Sequence, residues 1–218
     1  MEGGGGGSQL FRAWRTVVEM LTDRGYAVDP RLLAMSAAEW EVACPTRLTM
    51  TLHVRHMEQR ERELRVLWID KEGNGGDDKI RKPSVAGLLR RRGDGEHTRL
   101  LLVFVDELNL TAPAIKVIDA INEDAPGLVQ WFFEEELVVN VVRRDCARGT
   151  HYSVVTDMAP MAAMGRLYEC DRVARYFGMT PGQVLRIQRR SESAGGCVLV
   201  KQCVAMLGGD RENTKHYL

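Results

Sequence analysis

The sequence predicts an α/β domain, a small mixed sheet flanked by helices, followed by a smaller α+β domain of helix on sheet. Helical and strand periodicities alternate through the first 142 residues, as layered α/β folds require. Leu100-Leu101-Leu102-Val103-Phe104-Val105 is an uninterrupted apolar run, which suits a strand covered on both faces. Beyond Val142 the character changes to basic residues and short β-rich runs, with Gly178, Gly182, Gly195 and Gly196 at turns.

The elements follow in order. Leu10, Phe11, Trp14, Val17, Val18 and Leu21 recur at helical spacing, and Gly25 stands where a helix stop belongs. Pro30 opens a second helical pattern, Leu32, Leu33, Met35 and Trp40, which stops before Pro45. Apolar residues alternate with Thr49, Thr51 and His53 from Leu48 to Val54, the period of a half-buried strand, and Leu64–Ile69 predicts another. Lys71–Lys82 carries Gly73, Gly75, Gly76 and Asp77-Asp78 and reads as an exposed loop. A short helix over Val85–Arg92 precedes the apolar strand. Pro113 then opens a helix through Ile121, and Leu137–Val142 is the next expected strand.

The expected domains are 1–142, with 1–8 flexible, and 143–205, followed by a polar tail over 206–218. Charge supports the division: 18 basic against 23 acidic residues in 1–142, and 12 against 7 in 143–218, within a chain carrying 30 of each. The second half therefore suits an acidic surface or nucleic acid. No apolar stretch approaches the roughly 20 residues a bilayer span needs, and Met1–Ser8 is a glycine run, unlike a cleavable leader. A soluble intracellular protein without membrane partners is expected. Cys44, Cys146, Cys170, Cys197 and Cys203 are dispersed, odd in number and without a CxxC pair, so they read as free thiols.

Few residues suggest chemistry. His53 and His56 would point to opposite faces of a strand, and no third ligand stands near them, so neither metal nor other cofactor is expected. Asp70, Asp106 and Glu107 follow expected strands, as nuclease carboxylates do at magnesium sites, but no lysine follows two residues later on the same strand. Acidic strand ends are more often solvated loops. No Walker lysine or GxGxxG after a strand is present. Arg90-Arg91-Arg92 suits either phosphate contact or a solvated helix end.

Asp171-Arg172-Val173-Ala174-Arg175-Tyr176-Phe177-Gly178, continuing through Gly182-Gln183-Val184-Leu185-Arg186-Ile187, resembles the DPVARYFGxxxGQVVKI signature of the eukaryotic RNA polymerase fifth (jaw) subunit family. Arg190-Ser191-Glu192-Ser193-Ala194-Gly195 resembles that family's RxSETAG turn, in the same order and at the same spacing. Asp23-Arg24-Gly25-Tyr26-Ala27-Val28 is similar to its DRGYxV helix ending, and Thr111-Ala112-Pro113-Ala114 to its TPSA helix start. Local physics agrees at the first match: Asp171 can cap a short helix, Gly178 can end it, and Gly182 permits the turn into the next strand.

The resemblance implies a non-catalytic subunit of a nuclear DNA-directed RNA polymerase, acting in transcription. Its 1–142 part would be a jaw beside downstream duplex DNA, with Thr111, Ala112, Pro113 and Ala114 nearest the DNA. Its 143–205 part, like the small archaeal polymerase subunit that corresponds to it, would dock on the largest subunit among other polymerase subunits. His151, Asp171, Val173, Ala174, Arg175, Tyr176, Phe177, Gly178, Gly182, Ser191, Ala194 and Gly195 are the implied assembly interface. Arg172 replaces the family's proline, only His151 remains of its HxLVPxH segment, and 206–218 is an extension. Such divergence fits a distant lineage or a copy assigned to one polymerase form, nucleolar if that form transcribes ribosomal RNA. A small magnesium-dependent nuclease and a free regulatory adaptor are the rival readings.

Overall fold

The computed structural model describes residues 6–92, 98–143, 149–155, 164–191 and 195–205. Cys146, Ala194 and the 206–218 tail lie outside them, as does most of the glycine run. The chain divides into two compact units, Met1–Val139 and Asn140–Leu218.

The first unit is built on a sheet of four strands in the order β1-β2-β4-β6: Leu52–Arg55, Glu63–Ile69, Thr98–Phe104 and Val129–Phe133. β2, β4 and β6 run parallel and β1 antiparallel, which makes the sheet mixed. Parallel neighbours need crossovers, and α4 (Lys82–Arg90) and α5 (Ala112–Asp124) supply them. Leu67, Ile69, Leu100, Leu102, Phe104 and Val129 pack with Val85, Leu88, Ala114 and Ile118 of those helices. The alternate residues Leu64, Val66, Trp68, Leu101, Val103 and Phe132 are also buried, on the other face. That face belongs to α1 (Gly6–Asp23), whose following Arg24 donates from Nη1 to Gln130 of β6 at 2.9 Å. Helices on both faces explain why β4 carries no polar residue from Leu100 to Phe104.

Several local expectations are corrected. The helical pattern from Pro30 is two helices, α2 (Pro30–Ala34) and α3 (Ala37–Ala43). Ser36 breaks it, because its hydroxyl accepts from the Glu39 amide while Glu39 Oε2 accepts from the Ser36 amide at 2.8 Å. The first half of the Leu48–Val54 strand is a 3-10 turn, Arg47–Met50, held by a reciprocal pair between Thr46 and Thr49. Leu137–Val142 is no strand. Three glutamates open α6 (Glu134–Leu137), and the Asn140 side chain accepts from the Val142 and Arg143 amides in a turn. The strand entering the sheet is the preceding Val-Gln-Trp-Phe-Phe.

Lys71–Lys82 is also more than a loop. Asp70 Oδ1 accepts from the Gly73 amide at 2.7 Å, and Asn74 Nδ2 donates to the Asp77 and Lys79 carbonyls. The stretch then forms β3 (Lys79–Ile80), parallel to β5 (Asn109–Leu110), with Ile80 fully buried. One apolar residue in the right register anchors a segment whose composition is otherwise polar.

In the second unit four strands take the order β7-β9-β10-β8: His151–Val155, Val184–Ser191, Gly195–Val204 and Gly165–Tyr168. β7/β9 and β9/β10 are antiparallel, whereas edge strand β8 runs parallel to β10. β7 and β8 have little apolar alternation of their own and are recruited by pairing. Helix α7 (Arg172–Phe177), the one helix of this unit among the described residues, lies on one face, where Val173, Ala174, Phe177 and Met179 pack with Leu167, Leu185, Ile187 and Cys203.

Candidate functional site

Helix α7 and the turn after it hold most of the expected interface residues, and every local bond there follows from the sequence. Asp171 Oδ1 accepts from the Val173 amide at 2.8 Å, capping the first turn. Gly178, at φ 62°, ends the helix: its amide donates to the Arg175 carbonyl and the Met179 amide reaches back to Ala174. This is a Schellman closure, with buried Met179 against buried Ala174. Thr180-Pro181-Gly182-Gln183 then turns with a 3.2 Å bond from the Gln183 amide to the Thr180 carbonyl, Gly182 at φ 98°. Proline second and a positive-φ glycine third are what a type II turn needs. The Gly182 amide donates to the Cys203 carbonyl and the Cys203 amide to the Gln183 carbonyl, locking the turn to β10.

The adjacent aromatics separate as their 100° offset demands. Tyr176 is 3% exposed, its hydroxyl accepting from Asn140 Nδ2 at 3.2 Å. Phe177 is half-buried, its ring 5.9 Å from that of Tyr152 on β7. Sequence reasoning named neither Asn140 nor Tyr152, since nothing in their neighbourhoods marks them as partners of α7. Val173, Arg175 and Gly178 are half-buried, and Asp171 is exposed at the helix start. His151 is exposed at the start of β7, opposite Gln188. Ser191 pairs with Gly195 where β9 and β10 meet, on the same sheet but at the far end of β9 from Gly182. Cys203, beneath α7, is buried, and burial pushes its thiol up to about 12, so it is a packing residue rather than a nucleophile.

In the first unit Thr111 donates its hydroxyl to the Ile80 carbonyl at 2.8 Å, tying α5 to the β3–β5 pair. Ala114 is fully buried against the core cluster, while Ala112 and Pro113 are exposed. Lys79, Lys82 and Lys116 are exposed on β3, α4 and α5. The Arg90-Arg91-Arg92 run closes α4, where the Arg91 carbonyl accepts from Arg65 at 2.7 Å.

The nuclease residues stand at the C-terminal ends of β2 and β4, where Glu107 is exposed and Asp70 and Asp106 have structural partners. Asp70 caps its own turn, and Asp106 Oδ1 accepts from the Glu135 amide at 3.0 Å, positioning α6. Their neighbour Glu134 is gripped by Arg47 at 2.8 and 3.0 Å. Burial, with Asp106 and Asp70 nearby, pushes the Glu134 carboxyl up to about 7 against the pull of Arg47. The two histidines are apart: His53 meets Glu63 at 2.9 Å, and His56 Nδ1 accepts from the Glu58 and Gln59 amides.

The geometry is therefore that of two packed units with capped helices and structurally engaged polar groups. Comparison with known proteins agrees. The family model of the RNA polymerase Rpb5 N-terminal domain matches residues 7–118, and that of the Rpb5 C-terminal domain matches 160–203. DNA-directed RNA polymerases I, II, and III subunit RPABC1 of Caenorhabditis elegans is 27% identical over 207 residues, 86% of this chain and 93% of that protein. The protein of the same name from Caenorhabditis briggsae gives the same figures. DNA-directed RNA polymerase subunit 5-like protein 1 of Arabidopsis thaliana is 26% identical over 196 residues, covering 84% of this chain and 89% of the relative. With matches in both units, the chain belongs to the RNA polymerase Rpb5 family, whose members are structural rather than catalytic subunits of DNA-directed RNA polymerase.

Proposed function

We propose that this chain assembles into a nuclear RNA polymerase through 143–205, docking on the largest subunit, and that 1–142 forms a jaw beside downstream duplex DNA. The observation that carries the reading is the match to both family domains, together with the capped α7 and the β9–β10 hairpin that bear the family's signature residues. Scaffolding is the chemistry such a surface supports: a rigid helix on a sheet. Toward DNA, the exposed Lys79, Lys82 and Lys116 offer sequence-independent attraction to phosphate, and Ala112 and Pro113 are exposed at the α5 start. The polymerase form joined decides whether the subunit is nucleolar.

Affinity purification of the full tagged chain from its own cells tests the reading. Stoichiometric recovery of the largest polymerase subunit supports it, and Arg175→Ala should lower that recovery. Recovery of the chain alone, or magnesium-dependent DNA cleavage lost in Asp106→Asn, would overturn it.

A further inference from the structure

Opposite the acidic strand ends, the first unit has a cavity of about 740 Å³, lined by Glu58, Arg62, Arg99, Ala125, Pro126 and Leu128 among others. It opens where β2, β4 and β6 begin: Arg62 precedes β2, Arg99 is the second residue of β4, and Leu128 precedes β6. Its volume falls within the range of small-ligand and side-chain pockets.

Two guanidiniums are fixed in this cavity with donors to spare. Arg99 Nη1 donates to the Gly127 carbonyl at 3.1 Å. Arg62 Nε donates to the Tyr26 hydroxyl at 3.1 Å and Nη1 to Gln59 Oε1 at 3.2 Å, with the guanidinium 5.8 Å from the Tyr26 ring centre. Among the described residues neither meets a carboxylate, although ion pairs such as Arg47 with Glu134 and Arg55 with Glu63 occur elsewhere in the unit. Burial and the neighbouring Arg62 charge disfavour the Arg99 cation, and both arginines, after burial itself, hold the adjacent His56 below its usual range. Cations held together in a half-buried cavity gain most from an anion that enters it.

The rim narrows the choice of anion. Glu58 and Glu61 are exposed beside the arginines, with exposed Arg60 between them in sequence, and this alternation of charge suits a continuous polyanion such as a nucleic-acid backbone less well than a single anion. A single carboxylate tolerates them, and basic neighbours in the same segment complement them. Ala125, Pro126 and Leu128, around the Gly127 carbonyl that Arg99 holds, give the lining an apolar surface for a neighbouring side chain.

We propose that this cavity receives a segment of a partner protein carrying one carboxylate beside an apolar side chain, with Arg62 and Arg99 as the carboxylate receptors. Each guanidinium can offer a planar fork to carboxylate oxygens, the geometry that makes arginine pairs selective for them. This docking goes beyond the polymerase reading and does not depend on the signature residues of the second unit.

The test uses the full chain with nitrogen-15-labelled arginine, titrated with a capped Lys-Leu-Asp-Leu-Lys peptide, its Asn counterpart and a short DNA duplex. Saturable movement of the Arg62 and Arg99 Nε–H resonances with the Asp peptide is expected, with about tenfold weaker binding of the Asn peptide. Arg99→Gln should abolish the response. Because Arg99 also holds Gly127, Pro126→Glu provides a second variant at an exposed wall position, where its own carboxylate competes and weakens binding by a similar factor. Equal response to the Asp and Asn peptides, stationary arginine resonances, or a stronger response to the duplex would each overturn the proposal.

Discussion

The Asn140 amide donates to the Tyr176 hydroxyl at 3.2 Å, and the ring of that tyrosine is buried to 3% exposure. The contact joins the first residues of the second unit to its only helix among the described residues. Tyr176→Phe removes the bond and should cost about 1 kcal/mol. Tyr176→Ala should cost about 3–5 kcal/mol and exceed Phe177→Ala, because Phe177 stays half-exposed beside Tyr152. Chemical unfolding of the three variants checks the order, and a larger loss for Phe177→Ala would reverse this account of α7.

Gly25 closes α1 in the same way that Gly178 closes α7: the Gly25 amide donates to the Thr22 carbonyl and Tyr26 to Leu21, with φ 83° at the glycine. A Cβ there would also stand 3.1 Å from His56 Nε2. Gly25→Ala should destabilise the first unit by about 1–2 kcal/mol from the left-handed backbone alone, with the His56 contact adding to it. Gly87→Ala, inside α4 with open space around it, should be neutral or mildly stabilising. Thermal melts should fall clearly for Gly25→Ala and should not fall for Gly87→Ala.

Burial and then Arg62 lower the His56 pKa, and its Nδ1 accepts two amide bonds that only a neutral ring can take. In the folded state the ring thus binds its proton at lower pH than in the unfolded chain. Stability from this group is complete above the ordinary histidine pKa of about 6.5 and is lost as pH falls through the folded value. Titration of the His56 ring resonances should give a midpoint below the ordinary histidine value of about 6.5, and His56→Gln should remove this part of the acid sensitivity.

Glu134 works in the other direction. With its carboxyl at about 7 against an ordinary 4.5, its contribution is greatest below 4.5 and is lost as pH rises through 7. Glu134→Gln should therefore compare better with the parent at pH 8 than at pH 5, even though it weakens the Arg47 contact. Denaturant midpoints of both proteins at the two pH values measure this, and an unchanged difference would show that Arg47 keeps the carboxylate ionised throughout.

Helix positions, caps and the signature turn were legible because each is set within a few residues: Asp171, Gly178, Pro181 and Gly182 dictate local backbone whatever surrounds them. The Leu100–Phe104 strand was legible because burial on both faces excludes polar residues. The errors came where two local signals competed. Ser36 and Thr46 restart helical turns inside patterns that read as continuous, and the glutamates of α6 outweigh the apolar Leu137–Val142 run.

Tertiary structure alone decided the rest. Ile80 becomes core only because β5 offers it a parallel partner, and β7 and β8 are strands because β9 and β10 present open edges. Arg62 and Arg99, 37 positions apart in sequence, share a cavity because parallel pairing aligns the starts of β2 and β4. Local sequence determines which backbone conformations are cheap. Which distant side chains then meet is a matter of strand order and register, and neither is written in any short stretch of the chain.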